Sequence, residues 1–201
     1  MKITHGFIYV LGLAASLYVG TALAHSFNII FIAPSSEITG QTLLDGFLLA
    51  TREQDAHSFE ESDGHLGGLD SYIFKVDSFF GSNQLEAVIR ETVPLFAVGD
   101  IVTDAARELL KQYQVVEVDL AASNFWASTL ASRDRLTLMN GDSFRVAFEQ
   151  AYGYRANSDA LRGYLAARVI ARVVRNSSGH PRFSPGKLKL SVEQALQTAP
   201  W

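Results

Sequence analysis

The sequence predicts an α/β chain: a Rossmann-like, doubly wound, mostly parallel sheet with helices on both faces. Three observations carry that expectation. Short apolar runs rich in β-branched residues recur at Asn28–Ala33, Tyr72–Val76, Leu95–Val98 and Val115–Val118. Between them lie stretches whose apolar positions repeat with helical spacing. Each run stops at a proline, a glycine or an aspartate that opens a polar turn. Strands separated by helices pair side by side in parallel, and the crossovers cover both faces of the sheet.

The first element is an export signal. Lys2 supplies a positive charge, Phe7 to Leu23 is almost wholly apolar, and Ala22-Leu23-Ala24 gives the small-x-small pattern of a cleavage site. Residues 1–24 are therefore expected to be removed, which leaves 177 of the 201 residues as one α/β domain over 25–201. The signal holds one of the 17 cations and none of the 21 acids, so the mature charge is −5 with histidine neutral. An acidic chain without a basic patch argues against nucleic acid as a partner. With no cysteine, disulfides, thiolate catalysis and cysteine-based metal sites are excluded. These features fit the periplasm.

Asn28–Ala33 reads as a buried strand ended by Pro34. Ser35 to Gly40 reads as a turn, and Gln41–Gln54 as a helix with Leu43, Leu44, Phe47, Leu48 and Ala50 on one stripe. Residues 55–68 are polar and glycine-rich, a loop. Tyr72–Val76 is the second strand, and Ser82–Thr92 a short helix capped by Ser82 or Asn83. Leu95–Val98 is the third strand, closed by Gly99-Asp100. Thr103–Gln112 is a helix with Thr103 or Asp104 at its start, and Val115–Val118 the fourth strand. Arg135–Met139 is read as a fifth strand, with helices over Asp142–Tyr152 and Ala160–Arg175 after it. Asn176–Gly186 reads as loop and Ser191–Gln197 as a last helical turn or two.

The order of motifs resembles the type I periplasmic solute-binding proteins, and within them the group that binds leucine, isoleucine and valine. Phe31-Ile-Ala-Pro-Ser-Ser36, then Gly40 and Asp45-Gly46, is similar to that family's opening strand, turn and helix. Gly67-Gly68-Leu69, Val76-Asp77 and Phe96-Ala-Val-Gly99 resemble its next turn and strand ends, and Ala121-Ala-Ser-Asn124 its loop after the fourth strand. Phe144-x3-Phe148-x3-Tyr152-Gly153, followed by Gly163-Tyr164, resembles its close. The resemblance implies one lobe of the type I fold. It also implies the role of the substrate-binding component of a branched-chain amino acid-type ABC transporter, with a membrane permease or a sensor as partner. Family members have two lobes; here the fourth strand runs almost directly into the closing helices, so most of a second lobe is missing.

Ligands of doubly wound sheets bind outside the carboxyl ends of the strands. The hydroxyl and amide residues there are Ser35, Ser36 and Thr39 after the first strand, Thr103 after the third, and Ser123 and Asn124 after the fourth. In the resembled family these loops hold the ligand's carboxylate and ammonium; turn and cap chemistry uses the same residue types. Asp100 and Asp104 stand nearby and would repel a carboxylate. Phe79-Phe80 and Phe125-Trp126 place aromatics in loops at the same edge. They suit an apolar ligand, a protein partner, a second copy of the chain, or simple packing under the loops. His57 and His65, with Glu60, Glu61 and Asp63 between them, lack regular metal-ligand spacing and read as a solvated acidic loop. No nucleophile elbow and no phosphate-binding glycine loop follows any strand. The expectation is a non-catalytic binding or accessory protein with no cofactor and no metal. The alternative is an envelope interaction module that has lost solute binding.

Overall fold

A strand covered on both faces reads as a near-continuous apolar run, and β1 (Ser26–Ala33) has that character from Ile29 to Ala33. In the computed structural model, which describes residues 26–34, 38–55, 62–122, 141–177 and 184–197, β1 is the central strand. The sheet order is β2-β3-β1-β4-β5, with β2 (His65–Leu66), β3 (Leu69–Asp77), β4 (Phe96–Gly99) and β5 (Val116–Asp119). All neighbours run parallel except β2, which is antiparallel to β3. The mostly parallel α/β sheet expected from the sequence is the one found.

The alternation of side chains along β1 divides the interior into two cores. Ile29 and Phe31 enter one together with Phe96, Val98, Val116 and Val118. Helices α1 (Ile38–Glu53), α4 (Gly141–Tyr152), α5 (Ser158–Asn176) and α6 (Pro185–Gln197) contribute to that core. Ile30 and Ile32 enter the other, under α2 (Ser82–Thr92) and α3 (Asp104–Gln112). Phe144 and Phe148 stand four residues apart on one face of α4, where Phe144 meets Tyr164 and Phe148 meets Tyr154. Gly153 ends that helix at φ 75°, and its N–H donates to Glu149 O.

Five expectations need correction. The glycine-rich stretch 55–68 is not all loop. Gly67 and Gly68 at φ 67° and 92° make a two-residue hairpin turn, which pairs His65-Leu66 with Leu69-Asp70. His65 is therefore not a solvated loop residue. Its side chain is 12% exposed, with Nδ1 3.0 Å from Asp55 and Nε2 2.8 Å from Asp70. α1 starts at Ile38, inside the expected turn. α2 is capped by Gly81 without a side-chain hydrogen bond, not by Ser82 or Asn83. α6 starts at Pro185, because a fixed proline φ and missing N–H suit the first helical position. The signal at 1–24 and the strand read at Arg135–Met139 lie outside the described residues.

Candidate functional site at the carboxyl edge of the sheet

The strand ends are drawn level by register: Ala33 opposite Asp77, Ile32 opposite Gly99, Gly99 opposite Asp119. Gly99 has φ 143°, and a Cβ there would stand 1.8 Å from Ile32 O. Only glycine lets β4 turn away this close to β1. The chain leaving each strand is then pinned by its neighbour: Ser78 N–H donates to Ala33 O, Asp100 N–H to Ile32 O and Leu120 N–H to Gly99 O.

Two arginines fix this edge from the side. Arg162 of α5 is 4% exposed. Its Nη2 donates to Asp100 Oδ1 at 2.7 Å and to Leu120 O at 2.8 Å, while Nη1 donates to Asp159 at 3.1 Å. One guanidinium thus ties α5 to the turns after β4 and β5. It also neutralises Asp100, the carboxylate that the sequence alone would place against an anionic ligand. Arg107 of α3 does the same for Asp119 at 2.9 Å, with Glu117 and Asp104 both at 3.4 Å. The hydrogen bond that Arg107 donates to Asp119 is the largest influence pushing the Arg107 pKa up. Burial, and then the Asp119 charge, push the Glu117 carboxyl up.

Space at this edge is unevenly distributed. Between the turns after β3 and β4, a cavity lined by Ser78, Phe80, Asp100 and Thr103 holds only about 20 Å³, room for a water. On the other side of Phe80, between β1, β3 and α1, lies a cleft of about 330 Å³. Its walls include Phe31, Pro34, Leu44 and Phe80, and its polar groups are Gln41, Lys75 and Asp77. Gln41 is held in place: its Nε2 donates to Asp45 at 2.7 Å, and the hydroxyl of Tyr154 donates to the other oxygen of Asp45 at 2.7 Å. Burial keeps that phenol's pKa above the ordinary value.

Of the residues singled out from sequence, Thr39 sits half-buried in the first turn of α1. Thr103 caps α3, its hydroxyl accepting from Ala106 N–H at 3.2 Å. Phe79 is 74% exposed and Phe80 39%, so Phe79 is not packing under a loop. Ser35, Ser36, Ser123, Asn124, Phe125 and Trp126 lie outside the described residues. Sequence reading passed over Arg162 and Lys75. A signal existed for each: Arg162 interrupts the stripe Leu165, Ala166, Val169, Ile170, and Lys75 is a lone charge in the strand read at Tyr72–Val76. It also passed over Ile38, 84% exposed, and Val102, 61% exposed, which add to the apolar rim at this edge.

No family model matches the chain, and no curated protein matches it. Solved structures do. A putative branched-chain amino acid ABC transporter protein from Rhodospirillum rubrum is 11% identical, with a TM-score of 0.58 over 83% of this chain and 88% of that one. The branched-chain amino acid transporter substrate-binding protein of Streptococcus pneumoniae, solved with isoleucine, is 10% identical. Its TM-score is 0.59 over 83% of this chain and 87% of that one. The fold is the type I periplasmic binding-protein fold. At such identities the likeness is one of fold alone, and it bears out at that level the resemblance read from the motifs. Within the type I fold, this chain has only 21 residues, 120–140, between β5 and α4. Among the described residues, no helix is long and apolar enough to cross a membrane.

Proposed function

We propose that the chain is a non-catalytic periplasmic binding protein that holds a small organic solute at the carboxyl edge of its sheet and serves an import system or a sensor. The 330 Å³ cleft beside Phe80 carries this reading. It lies where doubly wound sheets place their ligands. It falls within the usual range for ligand sites, about 300–1,000 Å³, and joins apolar walls to a few polar groups as such sites do. The fold is shared with a protein solved with isoleucine. The Thr103 hydroxyl already serves as a helix cap. Ser35, Ser36, Ser123 and Asn124, which follow β1 and β5 in sequence, remain the proposed hydroxyl and amide contacts.

Thermal unfolding of the purified protein with amino acids, amides and small carboxylates tests the reading. A true ligand at 100 times its dissociation constant adds about 2.7 kcal/mol to stability; a flat response across the whole panel overturns it.

The rival reading, an interaction module, is favoured by one observation. Ile38, Phe79 and Val102 are 84%, 74% and 61% exposed at the same edge. Clustered exposed apolar residues on a monomer usually have a use. If another copy covers them, light scattering will show a dimer that Phe79→Asp returns to a monomer with an unchanged circular dichroism spectrum.

A further inference from the structure

The charge balance of the cleft says what kind of solute it suits, an inference that rests on the binding reading above. Among the described residues, two ionisable groups line it, Lys75 and Asp77, two residues apart on β3. Asp77 is engaged in its own turn, where Oδ1 accepts the Phe79 N–H at 2.9 Å. Lys75 is exposed and makes no ion pair or hydrogen bond among the described residues. Of the two, Lys75 is therefore the one whose charged head is left without a partner among the described residues. Around it the walls are hydrocarbon: Phe31 and Leu44 are almost wholly buried beneath the cleft, and Phe80 stands at its side.

We infer that the cleft beside Phe80 takes a small apolar monocarboxylate, its carboxylate on the Lys75 ammonium and its hydrocarbon part against Phe31, Leu44 and Phe80. Asp77 disfavours a second carboxylate, since like charges at close range repel. The apolar walls give a polar anion nothing to replace its water with.

Lys75 also has a structural use. β2 pairs only with Leu69 and Asp70, so the carboxyl half of β3 is an open sheet edge. A lysine on an open edge discourages pairing with other chains. Either charge serves that second purpose, whereas only a cation serves the first, and the two roles can be separated on this basis.

Titration calorimetry with isocaproate, leucine and isoamylamine decides the matter, because the three share one branched tail and differ only in charge. Isocaproate should bind at least tenfold more tightly than isoamylamine. Lys75→Glu should weaken isocaproate at least tenfold, Lys75→Arg should keep it, and all three proteins should share one urea unfolding midpoint. Leucine or the amine binding more tightly than isocaproate overturns this inference and leaves the binding reading standing, as does isocaproate binding unchanged in Lys75→Glu. Absence of heat with all three probes overturns it as well, and the wider solute panel then judges the binding reading separately.

Discussion

Arg162 is the residue on which the carboxyl edge turns. A buried guanidinium is tolerated only where its charge is met, and here Asp100, Asp159 and the Leu120 carbonyl accept from its two terminal nitrogens. Arg162→Met removes one partner and leaves Asp100, 23% exposed in its side chain, facing hydrocarbon. Breaking a buried pair in this way costs about 3–5 kcal/mol, and the partial exposure of Asp100 sets the expectation near 3. The midpoint of urea unfolding measures it, and Arg162→Met with Asp100→Asn should recover part of the loss. Tyr152 is the opposite case. Its hydroxyl is buried with no hydrogen-bond partner among the described residues, and burial pushes its pKa up to about 12. An unmet buried hydroxyl costs about 1–3 kcal/mol, so Tyr152→Phe should be neutral or stabilising at neutral pH. The ionisation sign follows from the same burial. An unfolded tyrosine titrates near pH 10. The neutral phenol's contribution is therefore whole below about pH 10 and is lost as pH rises toward 12. Wild type should lose stability across that window more steeply than Tyr152→Phe does, as guanidinium unfolding at stepped pH would show.

At the scale of elements, the pair α1 and α5 holds the larger core together, and glycine sets their separation. A Cβ on Gly46 would stand 1.9 Å from Ala160 O, and one on Gly163 would stand 1.8 Å from Leu43 O. Backbone touches backbone at both points, so an added methyl has no flexible side chain to push aside. Ordinary overpacking costs about 1–3 kcal/mol, and Gly163→Ala is expected at the top of that range. Alanine favours a helix over glycine by about 1 kcal/mol, which works in the other direction and is outweighed. Because one outward shift of α5 relieves both clashes, Gly46→Ala with Gly163→Ala should cost less than the sum of the single changes. Chemical denaturation of the two single variants and the double variant checks this. A stabilised Gly163→Ala protein would contradict the close approach.

At the scale of the molecule, we propose from the apolar run at residues 7–23 and the Ala22-Leu23-Ala24 pattern that the chain enters the export route. N-terminal sequencing of the protein recovered from the periplasm should begin at His25, and a sequence beginning at Met1 would mean that the segment is retained. Under either proposed reading of the protein, the carboxyl edge would be the functional surface. There the type I fold presents an open cleft, an apolar rim and a network of two arginines on two strand ends, those of β4 and β5.

The sequence alone determined the class of the fold and the order of its elements. Apolar runs of strand length and stripes of helical period are local patterns, so β1, β3, β4, β5 and the helices between them were legible within a few residues. It missed β2 and the early start of α6. Two residues of pairing carry almost no periodicity, and the first turn of α6 is polar outside Pro185 and Leu188. At the site, sequence placed Thr39, Thr103, Phe79 and Phe80 at the correct sheet edge, because strand order along the chain fixes which loops share it. It could not say that the Thr103 hydroxyl is spent on a cap, that Phe79 faces solvent, or that Asp100 is neutralised by an arginine 62 positions away. Those facts depend on which side chains meet across the sheet and between α5 and the strand ends. Contacts between residues distant in sequence leave no local pattern, and only the tertiary structure decided them.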